Sequence, residues 1–399
     1  MKQKYKQTEI GVIPEDWEIT TLEKEYELFA GGDLNTDDYS DVKTSKYQYA
    51  ILSNGLQNNG VYGFCSRPKY CGNAVTITGR GDIGHCVYRE NAFSAIIRLL
   101  VCQPRKQINS KFISEYLEST KPFVFESTGV PQLTVPQIKN TLIPLPPFAE
   151  QNRIAEALSD IDELISSLEK LIAKKKAIKQ GTMQQLLTGK TRLPGFTSPW
   201  EKKKIDDLGR FVSGNGFPLE YQGQQQGKYP FYKVSDFNSP GNERFLHRAN
   251  NYISDEIVNT LNCNIIPEKS IVFAKIGAAI FLERKKFTTA KCCIDNNTMS
   301  FQPDNSYSAL YIWYLFQTIC LGNLVEATAL PSLSGRTIGS VQRDIPSTKN
   351  EQDYIANVLL EIDIDIESIE KKLAKTRQLK QGMMQQLLTG KTRIGGDKR

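Results

Sequence analysis

Apolar residues recur at alternating steps of four and three positions in two distant stretches of the chain. Such a stripe is the a/d pattern of a coiled coil, and the Glu and Lys residues between the apolar positions suit the exposed faces. Prolines precede both stretches and Leu-Leu-Thr-Gly ends each, which predicts long helices within 149–190 and 349–390. Roughly 37 helical residues in each would span about 55 Å at 1.5 Å per residue. The apolar seam comprises Ile154, Leu158, Ile161, Ile165, Leu168, Ile172, Ile355, Leu359, Ile362, Ile366, Ile369 and Leu373.

The two stretches are copies of one another. Residues 150–192 align without gaps to residues 351–393, and more than half of the aligned positions are identical. Related residues also precede each copy, at 130–149 and 330–350. The chain is therefore a tandem duplication of a unit of roughly 190 residues, which is too large for a solenoid repeat.

Charge favours an antiparallel pairing of the two helices. A helix of this length cannot bury its seam on the small domain of its own half, so the simplest partner is the other copy. In a parallel pair the lysines at 174–179 would lie beside the basic residues at 371–380, which is a costly like-charge contact. An antiparallel pair brings each basic end near the acidic first half of the other helix and sends the two globular units to opposite ends.

The globular halves carry β-strand patterns. A strand, a glycine turn and a second strand, followed by a helix, are predicted at 74–88 and 110–119 in the first half and at 269–283 and 307–321 in the second. Gly81 corresponds to Gly277, yet the interiors share little other sequence, so the halves are expected to bind different ligands on a shared frame. The predicted fold is two α/β (α+β) domains, related by an internal pseudo-two-fold duplication and separated by an antiparallel two-helix coiled coil.

Composition sets broad limits on function. The 399 residues are 40% hydrophobic and 24% charged, as in ordinary globular proteins, and the net charge of +6 permits DNA binding without arguing for it. Neither a secretory signal nor an apolar run long enough to span a membrane is present, and the eight cysteines form no C-x-x-C pair. We therefore expect a cytoplasmic protein with reduced cysteines and no membrane partner.

Two catalytic interpretations fail on spacing. The repeated TGKT resembles the end of a phosphate-binding loop, but the glycine required five positions before Gly189 and Gly390 is Gln184 or Gln385. A DNA adenine methyltransferase needs an [N/D]-P-P-[F/Y] loop, and the similar string at 145–148 begins with a leucine that offers no hydrogen-bond acceptor. With only two histidines for general-base chemistry, we expect neither catalysis nor a bound metal or cofactor.

Several segments together resemble the specificity (S) subunit of Type I restriction–modification systems. They are IPEDWE at 13–18, LIPLPPFAEQNRIAEAL at 142–158, SPWEKKKI at 198–205, NEQDYIANVL at 350–359 and both KQGxMQQLLTGKTR tails. The resemblance covers the whole chain. Coiled-coil adaptors that present two protein-binding modules remain the alternative, because divergent globular halves suit either function.

The resemblance implies a division of labour. Target-recognition domains at 1–148 and 191–348 would each read half of a split, asymmetric site in double-stranded DNA. The helices at 149–190 and 349–390 would space them and dock two DNA adenine methyltransferase (M) subunits, and restriction (R) subunits can join. S-adenosylmethionine, ATP and Mg are then expected on the partner subunits and none on this chain, which would end in a tail at 391–399.

Candidate DNA contacts follow from side-chain chemistry within these domains. Arginine and lysine suit guanine edges or phosphates, whereas amide side chains suit adenine. Each candidate also has a structural alternative: a solvated turn arginine, an Asn-Gly turn at 58–60, an exposed hairpin end at 284–286, or a structural histidine. The candidates are Asn54, Arg80, His85 and Gln132 in the first half, with Asn58 and Asn59 beside Asn54, and Lys275, Arg284, Lys285, Lys286 and Arg336 in the second.

Overall fold

The computed structural model describes residues 4–123, 131–325 and 330–394. The chain folds into two compact units: unit 1 comprises residues 1–170 and 370–399, and unit 2 comprises residues 171–369. The end of the second repeat therefore folds with the first half of the chain. The tail suggested at 391–399 is part of unit 1 as far as residue 394, and its last five residues lie outside the described residues.

Short strands dominate both units. Those of unit 1 are β1 Tyr5–Thr8, β2 Gly11–Pro14, β3 Glu18–Thr21, β4 Tyr26–Ala30, β5 Tyr49–Leu52, β6 Val61–Cys65, β7 Ala74–Ile77, β8 Cys86–Arg89, β9 Phe93–Ala95, β10 Leu100–Pro104 and β11 Leu142–Leu145. Those of unit 2 are β12 Trp200–Lys204, β13 Gly209–Ser213, β14 Tyr229–Tyr232, β15 Phe245–Leu246, β16 Tyr252–Ile253, β17 Ile271–Ala274, β18 Lys285–Thr288, β19 Cys293–Ile294, β20 Thr298–Pro303 and β21 Gln342–Pro346.

The helices include two that are much longer than the rest. In chain order the α-helices are α1 Leu22–Glu25, α2 Ser110–Thr120, α3 Val135–Ile138, α4 Phe148–Leu186, α5 Asp255–Thr260, α6 Ala309–Gln317, α7 Gly335–Gly339 and α8 Lys349–Leu387. The long helices α4 and α8 occupy equivalent positions in the two repeats, and each has 39 residues.

Unit 1 is built on an antiparallel sheet in the order β4-β10-β7-β8. A second sheet, β6-β5-β9, lies beside it, and the pair β3-β11 joins the start of the unit to the strand that leads into α4. Helix α2 contributes Phe112 and Ile113 to the core that also holds Trp17 and the sheet residues Val75 and Ile77. The asparagine before α2, Asn109, accepts a hydrogen bond from the amide of Phe112 and so caps the helix.

Unit 2 repeats this plan. Its main sheet has the order β13-β20-β17-β18-β15, a second sheet has the order β16-β14-β19, and the pair β12-β21 leads into α8. Ser308 caps α6 as Asn109 caps α2. Six consecutive residues of α6, from Tyr311 to Phe316, are buried, so this helix is enclosed by its unit.

The predicted strand–turn–strand is confirmed in unit 1 and partly wrong in unit 2. Strands β7 and β8 pair antiparallel around a turn in which Gly81 has a φ of +72°. In unit 2 the strand β17 forms as predicted, but the residues after Gly277 form a short 3-10 helix, Ala278–Leu282. The return strand is therefore β18, which begins only after Glu283 ends that helix in the left-handed conformation.

Ion pairs establish the antiparallel course of the long helices within each unit. In unit 1, Asp162 of α4 pairs with Lys380 of α8 at 2.8 Å, and Glu169, further along α4, pairs with Arg377, which lies earlier in α8. The same relation holds in unit 2, where Lys175 and Lys179 of α4 pair with Asp365 and Asp363 of α8 at 2.6 and 2.7 Å. The predicted pairing of basic ends with acidic first halves is confirmed.

The predicted seam is largely buried, but its partner differs along its length. Nine of its twelve residues are buried, and Ile165, Ile362 and Ile369 are half-buried. Ile154 and Leu158 pack in the unit 1 core with α2, and Ile355 and Leu359 pack in the unit 2 core with α6. The end of the other copy joins the same cores, through Leu387 and Leu388 in unit 1 and Leu186 and Leu187 in unit 2, so the start of each seam packs against both its own domain and the other repeat.

Among the described residues, no helix is both long and apolar enough to cross a bilayer.

Candidate nucleic-acid interface

A tryptophan, a glutamate and an arginine form the same cluster in both units. In unit 1 the indole nitrogen of Trp17 donates to Glu150 at 3.1 Å, and Arg393 pairs with Glu150. Arg393 also forms two hydrogen bonds of 2.8 Å with Asp16 and thereby holds the pKa of that carboxyl below its usual range. We call this set the unit 1 clasp; it joins the start of the chain, the first turn of α4 and the end of the second repeat.

The unit 2 clasp has the same chemistry. Arg192 forms two hydrogen bonds with Glu351, of 3.0 and 2.6 Å, and the indole nitrogen of Trp200 donates to Glu351 at 3.2 Å. Both arginines end the repeated tail TGKTR, whose glycines, Gly189 and Gly390, adopt a φ of +69° beside a tryptophan ring. The glycine therefore caps a helix, and the arginine binds a carboxylate of its own chain.

A buried glutamine follows each of these glutamates and ties the long helix to its domain. The side chain of Gln151 accepts from the amide of Asn109 at 2.9 Å and donates to the carbonyl of Pro146 at 2.8 Å. Gln352 does the same with the amide of Ser308 and the carbonyl of Pro346. The clasps and these glutamines were not predicted from the sequence, although it contains one signal for them. The Trp, Glu, Gln and Arg residues are identical in both repeats without belonging to the apolar seam.

Three of the predicted DNA contacts of unit 1 meet at one end of the unit. The Nε and Nη2 atoms of Arg80 donate to the side-chain oxygen of Gln132 at 3.1 and 2.8 Å. The side chain of Asn54 accepts from the amide of Gly79 at 2.8 Å and donates to the carbonyl of Ile97 at 2.6 Å. Because an arginine has five N–H donors, Arg80 keeps donors for a ligand while Gln132 orients its guanidinium.

The other unit 1 candidates take structural roles. Asn54 uses both ends of its amide to hold two loops together, so the structure favours a positioning role over the predicted reading of adenine. Asn58 and Asn59 have φ values of +49° and +56°, as expected of residues in a tight turn. The Nδ1 atom of His85 lies 3.2 Å from a carboxylate oxygen of Glu118 on α2. His85 therefore contacts α2 and not the Arg80–Gln132 pair.

Unit 2 brings the corresponding segments together with other side chains. The amide of Leu333 donates to the carbonyl of Lys275 at 2.9 Å, just as Leu133 donates to Gly79 in unit 1. The ammonium of Lys275 donates to the hydroxyl of Ser213 at 3.1 Å. Arg336 lies exposed in α7, three residues beyond Leu333. Both units thus pair the strand end at the glycine turn with the stretch that precedes the long helix.

The basic run at 284–286 is not the exposed surface that the sequence predicted. The side chain of Lys285 is 2% exposed and pairs with Glu283 at 2.6 Å. The ammonium of Lys286 is buried and donates to two backbone carbonyls, and Arg284 is half-buried. Consecutive residues of a strand point to opposite faces of the sheet, and both lysines of β18 are buried, so both faces of this strand are covered at that point and neither lysine is available to a phosphate in this structure.

Burial of Lys286 predicts an unusual pH dependence. Desolvation, assisted by the charge of Arg284, lowers the pKa of Lys286 to about 8, whereas it returns to its ordinary value on unfolding. The unfolded chain then binds more protons between these two values, so stability rises with pH across that window. From pH 7.5 to 9.5 we expect a gain of about 1–2 kcal/mol in the free energy of unfolding that Lys286→Met lacks.

Chemical denaturation at the two pH values measures this difference. Lys291→Met, which alters an exposed lysine of the same unit, is the control and should keep the wild-type dependence. Equal pH dependence in wild type and Lys286→Met would show that the buried ammonium does not titrate in this range.

Over residues 4–123, 131–325 and 330–394, no group of three or more His, Cys, Asp or Glu side chains is arranged to hold a metal ion. The side chains near the glycine turns are Arg80 with Gln132 in unit 1 and Lys275 in unit 2, and such hydrogen-bond donors suit recognition of an anionic, hydrogen-bonding ligand.

The kind of ligand follows from the protein family to which the chain belongs. The model of the type I restriction modification DNA specificity domain matches residues 14–180 and 197–378, one match for each repeat. The chain belongs to the type I restriction–modification specificity family. The predicted resemblance is confirmed, and this specificity subunit is a non-catalytic DNA-recognition component of a restriction–modification complex.

Individual relatives match over nearly their whole length. The MjaIX specificity subunit of Methanocaldococcus jannaschii is 21% identical, over 98% of this chain and 96% of the relative. The MjaVIII specificity subunit of the same organism is 26% identical, over 96% and 94%. Among solved structures, the type I S subunit from M. genitalium superposes with a TM-score of 0.64 at 15% identity, over 97% of this chain and 99% of that chain. The specificity subunit thus has the two-domain fold predicted from its sequence.

Proposed function

We propose that the two units read different halves of a split, asymmetric site in double-stranded DNA. One observation carries this proposal: both units join the glycine turn to the segment before the long helix, but they place different side chains there. Unit 1 presents the Arg80–Gln132 pair, whereas unit 2 presents Lys275 and Arg336. A duplicated frame that carries different side chains in its equivalent segments is what two readers of unlike half-sites require.

The chemistry of these side chains fits the major groove. An arginine held in a fixed plane can donate two parallel hydrogen bonds to O6 and N7 of guanine, and Gln132 supplies that fixation for Arg80. Lysine and arginine in unit 2 can bind a guanine edge or a phosphate. Neither unit need bind strongly, since linking two weak readers makes the second contact intramolecular.

We further propose that two methyltransferase subunits dock on the long helices. In unit 1, Leu164 of α4 and Leu379 of α8 are 41% and 59% exposed. In unit 2, Leu171 and Ile178 of α4 are 38% and 45% exposed. Apolar side chains left on helices that have already buried a seam favour further helix packing by a partner. Restriction subunits would join such a complex, and S-adenosylmethionine, ATP and Mg would bind to the partners.

Two substitutions of Arg80 test the reading of guanine. In the assembled methyltransferase complex, Arg80→Ala is expected to lower methylation of the cognate site about 10- to 100-fold, as for loss of one bidentate base contact. Arg80→Lys keeps the charge but removes the planar fork, so a similar loss and a relaxed preference at one guanine are expected. Methylation rates on sites with each base pair of one half-site replaced provide the measurement.

The outcomes separate three possibilities. If Arg80→Lys retains wild-type activity while Arg80→Ala loses it uniformly on all sites, Arg80 contacts a phosphate. If neither substitution alters methylation, unit 1 does not read DNA through this end, and an adaptor that carries protein-binding modules becomes the better explanation.

A further inference from the structure

A strained segment lies beside the Arg80–Gln132 pair. Ile97 and Arg98, in the connection from β9 to β10, adopt left-handed backbone conformations with φ values of +53° and +58°. A β-branched residue is a genuine outlier in that region, where glycine or asparagine is usual. Ile97 is also 50% exposed, so burial of its side chain does not offset the strain. Such strain at an exposed position points to a function for the side chain.

Hydrogen bonds from three segments fix this conformation. The amides of Ile97 and Arg98 donate to the carbonyls of Gly32 and Gly31 at 2.9 and 3.1 Å. The side chain of Asn54 donates to the carbonyl of Ile97 at 2.6 Å. Gly31 allows the close approach, because a side chain there would meet the backbone of residues 95–96 within 3 Å. The segment is therefore held rigidly in place.

The same contacts place Ile97 at the candidate interface. Asn54 bridges the carbonyl of Ile97 and the amide of Gly79, which precedes Arg80. A side chain built at Gly79 would lie 3.1 Å from the carbonyl of Arg98. The loop that carries the exposed side chain of Ile97 therefore packs against the residue before Arg80, and Arg98 adds an exposed cation to the same loop.

The corresponding loop of unit 2 has different chemistry. In unit 1 a parallel bridge joins Gly32 to Ile96, and in unit 2 an equivalent bridge joins Asn215 to Asp295. The residues that follow Asp295 are Asn296 and Asn297, both exposed, where unit 1 has Ile97 and Arg98. The two units therefore offer an apolar group and amide groups at equivalent points.

We propose that Ile97 is a specificity-determining residue that contacts the 5-methyl group of a thymine in the unit 1 half-site. Thymine alone among the four bases presents an apolar group in the major groove, and a branched aliphatic side chain is its natural partner. This inference rests on the proposed function of unit 1 as a DNA reader. Asn54 acts through Ile97 and Gly79 as a positioning residue.

Removing the methyl group from the DNA and the side chain from the protein tests the contact. Each thymine of the unit 1 half-site is replaced in turn by uracil, and methylation by the assembled complex is measured for wild type and Ile97→Ala. At one position, replacing thymine by uracil is expected to lower the methylation rate of the wild-type complex about fourfold, which corresponds to one buried methyl group. The Ile97→Ala complex should methylate the thymine and uracil sites equally at that position. Val42→Ala, at another exposed branched residue of unit 1, should behave as wild type.

The results discriminate between the inference and the function on which it rests. A uracil penalty that is the same in wild type and Ile97→Ala at every position would overturn the thymine contact, and so would a half-site without thymine. Failure of the proposed function would appear separately, as Arg80→Ala without effect. Ile97→Asn, which suits a left-handed backbone, should fold at least as stably as wild type and lose the same discrimination; an unchanged uracil penalty in this variant would also refute the contact.

Discussion

Exchanging residues 26–130 for the corresponding segment of another specificity subunit is expected to change one half of the methylated DNA sequence and to leave the other half unchanged. The exchange replaces the loops that carry Arg80 and Ile97 but keeps Trp17, β3 and the first turn of α4, which form the unit 1 clasp and the frame. The frame contacts are made by side chains shared by both repeats, so the hybrid should still assemble. Methylation mapping in a host that supplies the methyltransferase measures the result.

The reciprocal exchange supplies the control. Replacing residues 209–330 should alter only the other half of the methylated sequence, because these residues belong to unit 2. An assembled hybrid that methylates the original sequence would show that the exchanged segment does not read DNA, and the adaptor alternative would then explain the divergent halves better.

Removing the carboxylate of the unit 2 clasp should destabilise that unit strongly. The side chain of Glu351 is 0% exposed and accepts hydrogen bonds from Arg192 and Trp200. Glu351→Ala leaves the guanidinium and the indole N–H without their acceptor, and breaking a buried ion pair from one side costs about 3 kcal/mol or more. Hydrogen exchange in unit 2, followed with and without denaturant, measures the loss.

Two variants make this result specific. Glu361→Ala removes an exposed carboxylate from the same helix and should change stability by less than about 0.5 kcal/mol. Glu150→Ala makes the equivalent change in unit 1, where Arg393 still pairs with Asp16, so a smaller loss is expected there. If Glu351→Ala proves no more harmful than Glu361→Ala, the clasp does not stabilise the unit.

The sequence predicted the long helices and their direction well because those features depend on repeated local rules. An apolar step of four and three specifies a helical seam, and the like-charge clusters exclude a parallel pair. Asp162–Lys380 and Lys179–Asp363 are the pairs that this argument required. The caps at Gly189 and Gly390 were predictable for the same reason, since a glycine beyond the last apolar residue is a local signal.

Local sequence rules could not predict contacts between segments that are distant in the chain. The sequence around Lys285 and Lys286 is strongly basic, yet the strand they begin lies within a sheet, and only the fold decides which side of a strand is covered. The role of Asn54 depends on Gly79 and Ile97, which are far from it in sequence. An Asn-Gly dipeptide predicts a turn but does not reveal what its side chain holds.

The clasps were partly predictable from the sequence. Their residues were visible as polar positions repeated without change, including Glu150 with Glu351 and Arg393 with Arg192. Helical periodicity concerns only the apolar positions, so these polar identities had no predicted function. A repeat that keeps a buried carboxylate in both copies requires a partner for it, and the equally repeated arginine was the available one.

The bases methylated when this chain is expressed with its methyltransferase test the central claim most directly. Two unlike readers on one duplicated scaffold predict a motif of two different short half-sites, separated by a run of fixed length in which any base is accepted. A single continuous motif, or two identical half-sites in a palindrome, would contradict that account.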